Sequence, residues 1–171
     1  CAMHRAGVTV VLDRSGITGP DGASHHGMWD MTISGVVPEL HLAAPRDGQQ
    51  VARAVRAAVD ISDAPSVVRF PKGSVGAPIE AVRTVGTVDV LAEPDEAEVD
   101  VLLVGVGSMA ATAMAAAEKL SAEGVRVRVV DPPFGKSQGS VDLGGFDVPL
   151  FRRPASGETT PEMVGQDPAA A

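Results

Sequence analysis

The sequence predicts an α/β fold in which parallel β-strands form the buried layer. Short, continuously apolar runs such as Val8–Leu12 have the length and composition of strands that are buried on both faces. Helical spacing of apolar residues between two such runs predicts a right-handed strand–helix–strand crossover. Aromatic residues make up only 3% of the chain and there is no tyrosine, so we expect an aliphatic core.

The first predicted unit covers residues 1–83. Asp47 is a candidate N-cap, because its carboxylate can accept a hydrogen bond from the first turn of a helix. In chain order we expect a strand at Val8–Leu12, one or two helical turns within Asp30–Val37, a strand at Leu40–Ala44, a helix from Asp47 to Asp60 and a strand at Ser66–Phe70.

The second predicted unit covers residues 84–132. Between Gly73 and Asp100 the composition changes, which predicts a linker with one strand at Thr84–Leu91. A buried strand then begins at Val101 and leads into a helix that is expected to start at the N-cap Ser108 and to stop at Gly124. We expect the helix to face inward with Met109, Thr112, Ala113, Ala116 and Leu120, and the next strand to span Val125–Val130.

Residues 133–171 differ from the rest of the chain. They are rich in Gly, Pro, Ser and Thr and show little periodicity, which predicts an irregular or disordered tail. A shift of reading frame near residue 133 is one hypothesis for the abrupt change.

Bulk properties narrow the class of protein. A net charge of −8 gives no indication of a nucleic-acid or anionic-membrane partner. Cys1 is the only cysteine, which excludes an intrachain disulfide and fits the reducing cytoplasm. The apolar runs are far shorter than the roughly 20 residues that span a bilayer. Because the chain opens at Cys1 rather than at methionine, we expect a fragment or a processed product.

The segment from Asp13 to Asp30 carries the strongest functional signal. An apolar run ends at Asp13 and Arg14, and a glycine-rich loop with Asp21 and His25 follows. Such a strand-to-loop transition is typical of sites at the carboxyl ends of strands in α/β enzymes. A guanidinium offers a fixed fork of donors to a carboxylate or phosphate, and an imidazole can donate a hydrogen bond or move a proton.

These residues resemble the thiamine-diphosphate-dependent transketolase superfamily and, within it, the 1-deoxy-D-xylulose-5-phosphate synthase family. The motifs follow the family's order and spacing across about residues 2–132. They are HRAGVTVVLDRSG from His4, GPDGASH from Gly19, GMWD from Gly27, APRD from Ala44, VVRFPKG from Val67, VGVGSM from Val104 and VVDP from Val129.

The resemblance implies a transferase that joins pyruvate to glyceraldehyde 3-phosphate with release of carbon dioxide, using thiamine diphosphate and Mg²⁺. It identifies residues 1–83 with the second half of a pyrimidine-binding domain, and residues 84–132 with a linker and the start of a C-terminal domain. The diphosphate-binding and cofactor-activating segments match nothing in this sequence. We therefore expect the chain alone to be inactive, the full-length enzyme to be a homodimer, and no metal or cofactor ligands to be assignable here.

Four residues are site residues by this resemblance. Arg14 is expected to bind substrate at the acceptor side, although a structural pair with Asp13 or Asp21 is the alternative. His25 is expected to donate to substrate and move a proton, with Asp21 orienting it or binding hydroxyls. Outside this context His25 would be a solvated loop residue and Asp21 a turn residue. Lys72 stands where many relatives have arginine for the aldehyde's phosphate, and its alternative is an exposed loop cation.

Other interpretations stay open. A truncated paralogue could act as a dimerisation or assembly module, because an orphaned half-site exposes apolar surface. The chain could also be part of a related enzyme such as the β-subunit of a keto-acid dehydrogenase. Gly105 and Gly107 lack the third glycine of a dinucleotide fingerprint, so tight strand-to-helix packing is favoured. The four histidines do not have the spacing of a metal site.

Overall fold

The structure is a computed structural model of the 171-residue chain and describes residues 1–95, 98–132, 134–136, 140–142 and 147–149. The strands are β1 Thr9–Leu12, β2 His41–Ala43, β3 Ser66–Arg69, β4 Arg83–Val85, β5 Val88–Ala92, β6 Val101–Val104, β7 Val127–Asp131, β8 Phe134–Lys136, β9 Ser140–Asp142 and β10 Asp147–Pro149. The helices are α1 Asp30–Gly35, α2 Gly48–Val59 and α3 Ala110–Ala122. None of the helices in these ranges is long and apolar enough to span a bilayer.

The first sheet has the order β1-β3-β2-β8. β1 and β2 both run parallel to β3, as the strand–helix–strand pattern predicts. α2 covers one face of this sheet and buries Ala54 and Ala58 against Ala43 and Val68. The predicted N-cap is confirmed, because Asp47 Oδ1 accepts a hydrogen bond of 2.9 Å from the backbone N–H of Gln50.

β1 departs from its prediction as a fully buried strand. Val10 and Val11, which point to opposite faces of the sheet, are 43% and 50% exposed. The reason is position: β1 pairs only with β3 and forms the outer edge of the first sheet within the described residues. Continuous apolar sequence identifies a strand here, but it does not show what covers that strand.

The second sheet has the order β4-β5-β7-β6, with only β6 and β7 parallel. Within the segment predicted as a linker with one strand, β5 is a buried strand of this sheet and contributes Val88, Val90 and Leu91 to the core. The predicted single strand is in fact a hairpin. Gly86, at φ 58°, lies in the connection between the antiparallel strands β4 and β5.

The start of α3 also differs from its prediction. A 3₁₀ turn at Gly107–Met109 precedes the helix, and Ser108 lies within that turn instead of capping α3. α3 therefore begins at Ala110, one residue later than predicted. Its inner face consists of Ala110, Ala113, Met114, Ala117 and Leu120, whereas Met109 and Thr112, which were expected on that face, are exposed. The predicted stop is confirmed at Gly124, which adopts φ 84°.

Within the segment predicted to be irregular, the structure has three short strands. β8 pairs antiparallel with β2, and β9 pairs antiparallel with β10. β2 offers β8 a free sheet edge, which accounts for ordered backbone where the sequence shows no periodicity. The remainder of the predicted tail, and with it the frameshift hypothesis, lies outside the described residues.

Candidate functional site

A cleft of about 720 Å³ opens at the carboxyl edge of the first sheet. β1, β2 and β3 are parallel, so the loops that follow them leave the sheet at this one edge. Those loops bring Arg14, Arg46 and Lys72 to the cleft, one from each strand. Ser108 and Ala111, at the start of α3, line the opposite side. The cleft thus has the location that open α/β sheets use for ligands.

The backbone at Arg14 is unusual. Its φ of 56° lies in the left-handed region, which L-residues other than glycine rarely adopt. Neighbouring hydrogen bonds hold it there, because the N–H of Ser15 donates to the carbonyl of Phe70 at 3.0 Å. The same loop is closed by a bridge in which the N–H of Gly27 donates to the carbonyl of Gly16 at 2.9 Å. Backbone strain that neighbours enforce is a feature of ligand-binding and catalytic loops.

Asp21 joins two of the predicted cations. Its Oδ2 lies 2.9 Å from Nη2 of Arg14, and its two carboxylate oxygens lie 2.8 and 2.9 Å from Nζ of Lys72. We call these three residues the Asp21 cluster. The side chains of Arg14 and Lys72 are 54% and 34% exposed, and that of Asp21 is 23% exposed. The arrangement therefore converges two cations on one point at the surface of the cleft.

The electrostatics of the Asp21 cluster favour an ionised carboxylate. The hydrogen bond from Lys72 is the main reason that the pKa of Asp21 lies below its usual 3.8, and the positive charges of Arg14 and His25 act in the same direction. Desolvation opposes them with a smaller effect. The cluster carries two positive charges against one negative, and the carboxylates of Asp13 and Asp47 line the cleft beside it.

His25 lies beside this cluster without bonding to it. Its ring Nδ1 is 3.2 Å from Oγ of Ser24, and the side chain is exposed. The structure therefore brings Arg14, Asp21 and Lys72 together as one group, with His25 close enough for its charge to act on Asp21. The hydrogen bonds of Asp21 go to Arg14 and Lys72, and the ring of His25 bonds to Ser24 instead of to Asp21.

A second group of charged residues at the cleft escaped the sequence analysis. Arg46, Asp47, Asp89 and Asp131, which we call the Arg46 cluster, have side chains that are at most 3% exposed. A signal for it exists in the sequence, because Asp89 interrupts the apolar strand β5 and Asp131 ends the apolar strand β7. A charged residue inside a buried strand requires a buried partner of opposite charge. The sequence around Asp89 and Asp131 does not indicate which cation that partner is.

The residues present do not fit the magnesium end of a thiamine diphosphate site. Among the residues that the structure describes, no three His, Cys, Asp or Glu side chains form a group that could hold a metal ion. Asp21, the carboxylate that contacts the cleft cations Arg14 and Lys72, is already bonded to both of them, and two converging cations suit an anion and not Mg²⁺.

A separate cavity of about 730 Å³ lies beside α3 and the beginning of β7. Glu93, Glu118 and Arg126 are among its lining residues, and none of the four predicted site residues is. Its position is away from the carboxyl ends of the parallel strands of the first sheet, so the cleft and not this cavity is the candidate site.

Comparison with known proteins agrees with this geometry. Residues 1–78 match the family model of the transketolase pyrimidine binding domain, and residues 91–137 match that of the transketolase C-terminal domain. Over 138 residues the chain is 56% identical to the 1-deoxy-D-xylulose-5-phosphate synthase of Kocuria rhizophila. That alignment covers 77% of this chain and 21% of the relative, so the chain spans about a fifth of the length of such relatives.

Solved structures show the same fold. Transketolase from Leishmania mexicana superposes with a TM-score of 0.68 at 24% identity, over 78% of this chain and 20% of that chain. A split-gene transketolase, described as an inactive beta4 tetramer, superposes with a TM-score of 0.59 at 30% identity, over 76% of this chain and 41% of that one. With two domain models matched in order and a mixed α/β fold shared with transketolases, the chain belongs to the transketolase family.

Proposed function

We propose that the chain forms the acceptor side of the active site of a 1-deoxy-D-xylulose-5-phosphate synthase. In this proposal the full-length enzyme is a cytoplasmic homodimer that condenses pyruvate with glyceraldehyde 3-phosphate and releases carbon dioxide. The identity of 56% to the Kocuria rhizophila synthase supports the family of reaction. The Asp21 cluster supports the assignment of the site, because both substrates are anions and the cluster presents two cations at one point of the cleft.

The convergence of Arg14 and Lys72 on Asp21 is the observation that carries the proposal. Both cations come from loops at the carboxyl ends of neighbouring parallel strands, and both line the cleft. A phosphate or carboxylate that takes the place of Asp21 would find donors already aimed at it. Asp21 then has a physical role in the free protein, since it holds the two mobile side chains together until an anion arrives.

Each residue has a distinct role in this proposal. Arg14 binds the carboxylate or phosphate through its planar fork, and Lys72 contributes a point charge to the aldehyde's phosphate. His25 is exposed beside the cluster, where its imidazole can donate to a substrate oxygen and exchange a proton. Asp21 binds both cations and holds their side chains together.

Family membership implies dependence on thiamine diphosphate, which supplies an electron sink when it is bound. The described residues lack a metal-binding group, so we infer that the ligands of Mg²⁺ come from other parts of a full-length enzyme. The isolated chain is accordingly expected to release no carbon dioxide from pyruvate.

A chimera tests the proposal. Residues 1–132 replace the matching segment of the Kocuria rhizophila synthase, and carbon dioxide release is followed with pyruvate and glyceraldehyde 3-phosphate. Loss of a charge-assisted hydrogen bond of about 1.5–3 kcal/mol predicts that Arg14→Ala and Lys72→Ala each raise the KM for the aldehyde by about tenfold or more.

Arg5→Ala is the matched control for these variants. Arg5 also forms an exposed ion pair, with Asp63 at 3.0 Å, but it is not among the residues that line the cleft. We expect this variant to keep the parental KM. An inactive chimera beside an active Kocuria enzyme, or equal effects of all three substitutions, would contradict the proposal.

Exposed apolar surface favours a second, compatible function in assembly. Ile33 on α1 and the two residues that flank this helix, Trp29 and Val36, follow one another at helical spacing and are all more than 60% exposed. Val10 and Val11 add the open edge of β1. We infer that this surface packs against the remainder of a synthase protomer, because the chain spans only about a fifth of its relatives.

Light scattering separates the two functions. The chain is measured alone and after mixing with full-length Kocuria rhizophila synthase, and a complex is expected only in the mixture. Replacement of Ile33 by Glu is expected to abolish that complex, while Glu at the exposed position Thr112 on α3 is expected to leave it unchanged. A chain that stays monomeric in the mixture would rule out the assembly role.

A further inference from the structure

The guanidinium of Arg46 connects the two sheets of the molecule. Arg46 follows β2 of the first sheet, and its Nη1 donates to Oδ2 of Asp89 at 2.7 Å and to Oδ2 of Asp131 at 3.0 Å. Asp89 lies on β5 and Asp131 at the end of β7, so both acceptors belong to the second sheet. All three side chains are at most 2% exposed, which removes the solvent screening that weakens surface ion pairs.

Asp89 and Asp131 need this cation. They are direct cross-strand partners in the β5–β7 ladder, and like charges in that position repel. Other donors each reach only one of them: Thr84 Oγ1 and Gln50 Nε2 contact Asp89 at 2.9 and 3.3 Å, and the N–H of Gly107 contacts Asp131 at 3.1 Å. Arg46 is the described side chain whose positive charge meets both.

The Arg46 cluster also lies against the cleft. Arg46 and Asp47 are among the residues that line it, on the side of the first sheet. Asp131 holds the N–H of Gly107, and the next residue, Ser108, lines the opposite wall. Hydrogen bonds through Asp131 therefore connect Arg46, on the first-sheet side of the cleft, with Gly107, at the wall formed by the start of α3.

Close backbone packing at the same place leaves little room for adjustment. Gly107 has φ 58°, and a Cβ on it would lie 2.7 Å from the carbonyl oxygen of Ala44, two residues before Arg46. Contact and charge therefore act at one point of the interface between the sheets.

We propose that Arg46 is a positioning residue for the anion site, which sets the separation of the two cleft walls by bridging Asp89 and Asp131. The proposal rests on the proposed function, because it gives the walls their role in holding an anionic substrate at Arg14 and Lys72. The separation of the two cleft walls can be measured without any substrate.

Two readouts keep the geometric and the functional parts separate. In a Cys1→Ser background, spin labels at Ala57→Cys on α2 and Lys119→Cys on α3, both exposed positions, report the distance between the sheets by pulsed EPR. Titration with inorganic phosphate, followed by ³¹P NMR, reports the anion site. Loss of the distance effect overturns the positioning role, whereas failure of the parent chain to bind phosphate counts against the proposed function alone.

The decisive variants differ in charge. Arg46→Met leaves two opposed buried carboxylates, and the triple variant Arg46→Met, Asp89→Asn, Asp131→Asn removes the repulsion together with the bridge. In both we expect a broader distance distribution and phosphate binding weaker by about fivefold or more, the lower range of typical coupling between sites. Where Arg46→Met does not fold, the neutral triple variant decides, since replacing a buried ion group by neutral side chains is often tolerated.

Arg46→Lys and Arg83→Met complete the test. Lysine restores the charge without the fork, so we expect it to recover part of both readouts. Arg83 forms a two-point ion pair with Glu93 at 2.8 and 2.9 Å within the second sheet region, so Arg83→Met is expected to change neither readout. A triple variant with the parental distance and phosphate affinity would overturn the proposal.

Discussion

Two groups of charged residues border the same cleft and have opposite compositions. The Asp21 cluster places one carboxylate between two cations, and its side chains are 23–54% exposed. The Arg46 cluster places one cation among three carboxylates, and its side chains are at most 3% exposed. The first group therefore has an excess of cations and is partly exposed to solvent, whereas the second has an excess of carboxylates and is buried.

The two aspartates that face these cations respond in opposite directions. Burial raises the pKa of Asp131 above its usual 3.8, and the bonds from Arg46 and Gly107 offset this only in part. The hydrogen bond from Lys72 lowers the pKa of Asp21. Cations act on both carboxylates, so the difference comes mainly from the burial of Asp131, to which the neighbouring charge of Asp89 adds. A partly exposed cluster can exchange its carboxylate for a ligand, whereas a buried one acts only through the geometry that it maintains.

The largest expected effect is a loss of folding stability when the buried Arg46 cluster is disrupted. Arg46→Met removes the cation shared by Asp89 and Asp131 and is expected to lower the free energy of unfolding by about 3–5 kcal/mol. Urea denaturation followed by circular dichroism measures it. Arg5→Met, at the exposed pair with Asp63, is the control and is expected to cost about 0–1 kcal/mol. Equal losses in the two variants would show that burial does not distinguish these ion pairs.

The next effect concerns packing beside the buried cluster. Gly107→Ala introduces a methyl group 2.7 Å from the Ala44 oxygen and is expected to destabilise the chain by about 1–3 kcal/mol more than Gly86→Ala. Gly86 is a close control, because it has the same φ of 58° and no atom within 4 Å of the added methyl group. The same thermal shift in both variants would place the whole cost in the backbone conformation and none in the contact.

A smaller effect is expected on the phosphate affinity of the exposed Asp21 cluster. Asp21→Asn removes the carboxylate that occupies Arg14 and Lys72, and inorganic phosphate is expected to bind about threefold to tenfold more tightly. Because the pKa of Asp21 is lowered, its carboxylate is ionised throughout pH 5 to 8, and the gain is expected at every pH in that range. Phosphate titration of both proteins at several pH values measures it, and weaker binding by the variant would identify Asp21 as a direct ligand-orienting group.

The smallest effect comes from an exposed pair outside the cleft. Arg126 lowers the pKa of Asp100 to about 2 through a side-chain hydrogen bond and its backbone N–H. A lowered pKa means that the stabilisation is present above pH 3.8 and is lost as the pH falls towards about 2. Asp100→Asn is therefore expected to lower the stability of the chain slightly at pH 7 and to make the acid unfolding profile shallower in that window. A profile identical to that of the parent would show that Asp100 titrates alike in the folded and unfolded states.

Much of the first sheet could be predicted from sequence because its signals are local. The N-cap at Asp47 and the crossover from β2 to β3 depend on residues close together in the chain. The hairpin of β4 and β5 was missed because its burial depends on β7, about forty residues away. In the site, the motif places Arg14, Asp21 and Lys72 in one group, and their mutual bonds agree with that grouping. The link from Arg46 to Asp131 spans 85 residues and has no local signal.

The open edge of β1 has a consequence for the behaviour of the chain at high concentration. Among the described residues one edge of β1 has no partner strand, and such an edge with exposed valines presents backbone donors and acceptors to any other extended chain. A net charge of −8 opposes such encounters between copies through electrostatic repulsion. Salt shortens the range of that repulsion, to a Debye length of about 8 Å at 0.15 M ionic strength and about 3 Å at 1 M. The colloidal stability of this protein therefore decreases as ionic strength rises.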